Sequence, residues 1–298
     1  WIVFIIIILT MMIIDLGVFH KNSHRVSMKE AAFWSAIWIG LALLFNVGIY
    51  FFLGKEPALK FLAGYLLEES LSIDNLFVFV LTFKYFHTPE KAMHKVLFWG
   101  IIGAIVLRAI FIAGGLVLVQ HFSWIFYLFG LFLIYTGFQL AKNKEQEIHP
   151  ENNFLIRLVE RWYPVHKDYN AETFFVIKEG IKYVTPLFLA LIAVETTDVI
   201  FALDSIPAIF AITLDPFIVY TSNIFAILGL RSLFFLLQGL MGLFHHLHYG
   251  LAIILIFIGL KMLFIQHFHI PIVYVLLVII TVLGGSIIAS ILDPKKDI

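Results

Sequence analysis

The chain has 298 residues, 61% hydrophobic and only 13% charged, with a mean hydropathy of +0.98 and a formal net charge of zero. Soluble domains carry about 25% charged residues, so the balance identifies a polytopic all-α membrane protein and gives no basis for nucleic-acid binding. With no cysteine present, disulfides and thiolate metal sites are excluded within the chain, and the six scattered methionines argue against copper(I).

A helix needs roughly 20 apolar residues to cross a bilayer. Nine segments qualify: 1–19, 31–53, 58–83, 94–119, 122–141, 183–213, 217–241, 248–266 and 270–291. The first lacks a basic leader and a small-residue cleavage site, so it is expected to be a span rather than a signal peptide. The chain divides into 1–141 with helices one to five, a soluble connection 142–182, and 183–298 with helices six to nine. In the connection, Phe154, Leu155, Leu158, Val159 and Trp162 recur at helical spacing against Arg157, Glu160 and Arg161. This predicts a short amphipathic helix on the membrane surface, stopped by Pro164. Thr173–Ile177 and Ile181–Thr185 flank Lys178-Glu179-Gly180, the pattern of a small β-hairpin.

Fifteen of the twenty Lys and Arg fall in the connections on one side, three on the other, and Arg108 and Arg231 lie inside spans. Basic residues mark the cytoplasmic side, which predicts an external N-terminus and a cytoplasmic C-terminus. His245, His246 and His248 fall in a cytoplasmic turn and His267 and His269 in an external one, all read as solvated turn residues; Lys261 is expected to snorkel.

The third span carries Glu68, Glu69, Ser70, Leu71, Ser72, Ile73, Asp74 and Asn75; the sixth carries Asp198, Val199, Ile200, Phe201, Ala202, Leu203, Asp204 and Ser205. Both read acid, five residues, aspartate, then a small hydrogen-bonding side chain. Each is followed by a span with one arginine, Arg108 or Arg231. An odd number of spans separates the copies, so they are expected to run oppositely, as in inverted-repeat transporters with a midplane site.

Glu195, Asp198 and Asp204 would together cost about 8–10 kcal/mol if they faced lipid, so protein, water or a cation must compensate them. Glu195 and Asp198 share a helix face, whereas Asp204 lies about 120° round from Asp198. Both aspartates line one cavity only if the helix unwinds, which Pro207 would favour, or if it lies between two neighbours. Asp74 and Asn75 mirror Asp204 and Ser205, Asp15 offers a further oxygen, and Ser72 and Thr197 are peripheral candidates. Glu69 points about 100° away from Glu68. An all-oxygen set suits a hard divalent cation such as Mn²⁺, Mg²⁺ or Ca²⁺. Arg108 and Arg231 are candidate counter-ions, either structural or neutralising the site when cargo is absent. An aspartyl protease dyad of Asp74 and Asp204 is disfavoured, because neither follows Gly-x-Gly, and no enzymatic activity is expected.

These motifs, L-E-E-S-L-S-I-D-N-L-F-V-F from Leu67, V-E-T-T-D-V-I-F-A-L-D-S-I-P from Val194, D-P-F-I-V-Y-T-S-N-I-F-A-I-L-G-L-R-S-L-F-F from Asp215 and D-L-G-V-F-H from Asp15, resemble the TerC/Alx family in the lysine-exporter-like superfamily. Glu69 departs from the family, where lysine is common. The resemblance implies Mn²⁺ efflux across a bacterial plasma (inner) membrane, driven by proton exchange. It also implies alternatives: a scaffold that loads metal into secreted metalloenzymes alongside the secretion machinery, or tellurium resistance. Carried over, the metal residues are Asp15, Glu68, Asp74, Asn75, Glu195, Asp198, Asp204 and Ser205. Mn²⁺ is the transported substrate, with Ca²⁺ or another hard cation as alternative.

Overall fold

A computed structural model describes residues 1–19, 27–142, 153–166, 173–239, 246–264 and 270–293, with side chains 14–19 left out. The described chain is helical apart from one hairpin. Its elements are α1 (Ile2–Phe19), α2 (Met28–Leu53), α3 (Lys55–Tyr85), α4 (Glu90–His121), α5 (Ile125–Lys142), α6 (Phe154–Trp162), β1 (Phe175–Lys178), β2 (Ile181–Val184), α7 (Pro186–Phe210), α8 (Pro216–Gln238), α9 (Leu247–Leu263) and α10 (Ile272–Leu292). Among the described residues, α2, α4, α5, α7, α8 and α10 are long and apolar enough to cross a membrane. The described part of α1 (Ile2–Ile13) and α9 are apolar but shorter. α3 is long but carries Glu68, Glu69 and Asp74 in its middle. Each of the nine expected segments is thus a helix, and the protein is an all-α polytopic membrane protein.

α8 forms the centre, with 89% of its apolar window buried, and it packs on α2, α3 and α4. α3 also packs on α7, and α4 on α7. Shared clusters fix the relative directions. Phe83 and Phe86 at the end of α3 and Ala92 and Met93 at the start of α4 meet Leu187 at the start of α7 and Phe234 and Leu237 at the end of α8. At the opposite end, Leu116 and Val119 of α4 meet Ile209 and Phe210 of α7 and Val219 of α8. α3 therefore runs antiparallel to α7, and α4 to α8.

α5 and α9 pack through glycines. A Cβ at Gly130 would lie 2.9 Å from the Gly259 carbonyl oxygen, and one at Gly259 2.6 Å from the Gly130 carbonyl oxygen. Small residues let backbones approach where lipid supplies no hydrophobic drive between helices.

Within the connection, the described residues form a short helix and a hairpin where the sequence predicts them. Asn153 Oδ1 accepts from the backbone N–H of Leu155 and Ile156 and starts α6. Ile156 and Val159 turn toward the core at α7, while Phe154 and Trp162 are exposed. In the hairpin, Glu179 (φ 52°) and Gly180 (φ 78°) both adopt positive φ, the geometry of a type I′ turn whose twist matches the strands. Because β2 takes residues 181–184, the sixth apolar helix begins at Pro186 rather than at 183.

Pro207 does not break α7, which continues to Phe210. Proline removes a single ladder bond, close to the helix end, and packing on α3 and α4 holds the rest. Lys261 does more than snorkel: its Nζ donates to the Ala211 carbonyl oxygen at 2.7 Å, capping the end of α7. The His246 backbone N–H donates to Ser290 Oγ at 3.0 Å, and its Nε2 lies 3.4 Å from Asp293 Oδ2; His248 stacks on Tyr249. His245, His267 and His269 lie outside the described residues.

Candidate metal centre

Three helices, α3, α7 and α8, converge on Arg108 of α4. Its Nη1 donates to Glu68 Oε1 of α3 in a short ion pair. The same nitrogen donates to Asn223 Oδ1 of α8 at 2.9 Å and to Ser205 Oγ of α7 at 3.1 Å. Nη2 lies 3.6 Å from Asp198 Oδ1 of α7, an ion pair longer than a hydrogen bond. All five side chains are buried, Glu68 and Asn223 completely. Asn223 is aimed by its own helix: its Nδ2 donates to the Val219 carbonyl at 3.0 Å, which turns Oδ1 toward the guanidinium.

One arginine thus neutralises two carboxylates, and acceptor capacity remains. Glu68 Oε2, Asp198 Oδ2 and Asp204 Oδ1 have no hydrogen-bond partner among the described residues. A buried carboxylate oxygen without a partner is costly, so these atoms mark where a cation or water would be welcome.

The remaining candidates surround this knot. Glu195 and Asp198 are electrostatic neighbours on one face of α7. The Glu195 carboxylate lies against Gly103 of α4 so closely that a Cβ there would sit 1.9 Å from Oε1. Asp204 and Asp74 are likewise electrostatic neighbours. α7 therefore lies between two partners, presenting Asp198 to α4 and Asp204 to α3, which accounts for the 120° offset without unwinding. Asn75 and Ser72 are buried, and the Ser72 hydroxyl has no partner among the described residues. The Thr197 hydroxyl donates back to the Ala193 carbonyl at 2.7 Å. Glu69 diverges from Glu68: its Oε1 is 3.9 Å from where a Cβ on Gly229 of α8 would stand. Arg231 is buried and, with Asp198, Gly100 and Ala104, lines a cavity of about 10 Å³. The Asp15 side chain lies outside the described residues.

Among the described residues, no three His, Asp or Glu side chains are grouped closely enough to hold a metal ion. In this arrangement Arg108 stands between the acids, where a cation would have to sit. The donor chemistry fits a hard cation, but the side chains as placed hold a guanidinium instead.

Two residues escaped the sequence reading. Asn223 sits in the polar run Thr221-Ser222-Asn223 at the heart of the most buried helix, which was the available signal. Gly103 gave no signal, since its significance appears only once α4 meets Glu195.

Comparison with known proteins agrees with this architecture. The chain is 49% identical over 295 residues to "Uncharacterized membrane protein STKORF319" of Myxococcus xanthus, covering 99% of this chain and 92% of that protein. It is 47% identical over 299 residues to "Putative membrane-bound redox modulator Alx" of Salmonella typhi, covering 97% and 93%, and 46% identical to the Escherichia coli K12 protein of the same description, with the same coverage. No solved structure matches. Residues 53–297 match the Integral membrane protein TerC family, and the chain belongs to that family.

Proposed function

We propose that this protein exports a hard divalent cation, Mn²⁺ foremost, from the cytoplasm across a bacterial plasma membrane, through nine spans with the N-terminus outside. The observation that carries the reading is the buried knot in which Arg108 bridges Glu68 and Asp198 while Glu68 Oε2 and Asp198 Oδ2 have no hydrogen-bond partner among the described residues. Ionisable groups inside a membrane mark ion pathways by default, and an all-oxygen set selects Mn²⁺, Mg²⁺ or Ca²⁺ over softer ions. Arg108 acts as the charge placeholder. Cargo approaching Glu68 and Asp198 displaces the guanidinium, and the guanidinium returns when cargo leaves, so the acids never face each other uncompensated. Asp74, Asp204, Asn75 and Ser205 supply further oxygens along the path, and Glu195 stands at the Gly103 face of α4.

The description of relatives as redox modulators fits this reading better than a thiol mechanism. No cysteine exists within these 298 residues, so redox influence would act through the metal that is moved.

The test is Mn²⁺ flux in liposomes containing the purified protein. Asp74→Asn, Asp204→Asn, Glu68→Gln and Asp198→Asn should each lower flux at least about tenfold, on the order of 1.4 kcal/mol. Unchanged flux in both Asp74→Asn and Asp204→Asn overturns the site. A folded parent protein without any Mn²⁺ flux overturns transport itself and favours a scaffold that assists metal loading.

A further inference from the structure

A cavity of about 450 Å³ lies at one end of the bundle, where α3 and α10 begin and α7 and α9 end. Its volume falls within the range of small-molecule sites. Helix starts and helix ends both border it, so dipoles of opposite sign offset each other and side-chain charge decides its field. Among the described residues, three charged side chains line it: Glu56 and Lys60 of α3 and Lys261 of α9. The two lysines come from distant parts of the chain and are electrostatic neighbours. Two ammonium groups and one carboxylate leave one positive charge in excess.

Each lysine has donors to spare, because an ammonium carries three N–H groups. Lys261 Nζ donates to the Ala211 carbonyl oxygen at 2.7 Å, and Lys60 Nζ to Glu56 Oε1 at 2.6 Å. The second bond is weakly held: the Glu56 side chain is 69% exposed, and an exposed ion pair one turn apart on a helix is worth little. The buried Thr213 hydroxyl, also in the lining, accepts from the Asp215 backbone N–H at 3.2 Å and keeps its own hydrogen to donate. The other walls are mostly apolar, with Phe126 of α5, Phe210 of α7, and Ile270 and Ile272 at the start of α10.

We propose that this cavity binds an anionic phosphate group, with Lys60 and Lys261 as its two cationic contacts. The amphiphilic lining favours a phosphate carried by a lipid over free phosphate. Free phosphate gains nothing from the phenyl and isoleucine surfaces, whereas the carbons of a lipid leave water on reaching them. When the headgroup arrives, Lys60 exchanges Glu56 for the phosphate. Lys261 keeps its bond to Ala211 and uses a second N–H, so the ligand adds to the tie between α9 and α7 instead of replacing it. The site is independent of which ion the Arg108 knot carries, and it stands or falls apart from transport.

Native mass spectrometry of the purified full chain in detergent, titrated with phosphatidylglycerol, phosphatidylcholine or inorganic phosphate, reads the binding. Phosphatidylglycerol should bind the parent more tightly than phosphatidylcholine, whose choline cancels the phosphate charge. Lys60→Gln and Lys261→Met should each weaken it about tenfold, as expected for loss of a hydrogen bond to a charged group. Glu56→Gln should tighten it, because the competing carboxylate is gone; a purely structural pair of Glu56 and Lys60 would not give that sign. Lys84→Gln, exposed at the other end of α3, should leave it unchanged. Lys261 also caps α7, so its variant counts only where its melting temperature shows it folded; otherwise Lys60→Gln decides alone. Lysine-dependent binding of inorganic phosphate, with no preference between the lipids, would keep the phosphate site and assign it to the free oxyanion. Binding that is the same with and without the lysines overturns the site.

Discussion

At the residue scale, the space left by a missing side chain decides where a charged one goes. Glu195 occupies the notch of Gly103, and an added methyl would fall within 1.9–2.3 Å of its carboxylate atoms. Gly103→Ala must therefore push Glu195 away from its place beside Asp198. The carboxylate is the far end of a flexible side chain, so the shift should cost little stability, while the displaced acid should lower Mn²⁺ flux about tenfold, on the order of 1.4 kcal/mol. Gly114 on the same helix provides the control, since a Cβ there meets nothing within 4 Å. Gly114→Ala should leave flux unchanged and raise helix stability by roughly 0.5–1 kcal/mol. Thermal unfolding in detergent, read beside liposome flux, separates the two; equal behaviour of both variants would remove any special role for the Glu195 notch. The acids themselves were legible in the sequence because charge inside an apolar run is conspicuous. Their partners were not. Asn223 and Gly103 acquire meaning only from helices that lie far away in the chain, and a glycine carries no chemical signature of what it accommodates.

At the element scale, hydrophobic run length located every long helix, and the hairpin and α6 were readable from turn chemistry and periodicity. The exception was the end of an element: the expected break at Pro207 is absent, because local propensity near a terminus yields to packing on α3 and α4. The pairing of helices was not legible, since runs of Leu, Ile and Phe look the same on every face. α5 and α9 illustrate this. Their contact depends on Gly130 and Gly259, each set against the other's backbone carbonyl. Backbone does not move aside as a side-chain tip does, so Gly259→Val should separate the pair. The expected loss is about 1–3 kcal/mol, read as a lower unfolding temperature. Gly285→Val on α10, where a Cβ meets nothing within 4 Å, should change it little. Equal losses at the two positions would show that the glycine contact does not hold α5 to α9.

At the scale of the whole molecule, the repeat was legible from two acid motifs and two arginines, and its antiparallel arrangement appears in which helix ends share a cluster. What the sequence left open was whether the acids would gather round a cation or round an arginine. That depends on a balance no motif records: burying two carboxylates costs several kcal/mol each, and only a well-placed counter-charge offsets it. The proposed orientation of the bundle rests on its basic residues, and α4 allows a direct test of it. Its 32 residues span about 48 Å at 1.5 Å per residue, enough to place its two ends on opposite sides of a bilayer. Lys91 at its start lies with the basic connections, and Ser123 just beyond its end lies in the connection to α5; both are exposed. A membrane-impermeant maleimide applied to intact cells should therefore label Ser123→Cys at once and Lys91→Cys only after permeabilisation, with no signal from the cysteine-free parent. The reverse pattern would place the basic side outside and turn the proposed exporter into an importer by geometry. It would leave the Arg108 knot untouched, because the knot depends on packing and not on which way the bundle faces.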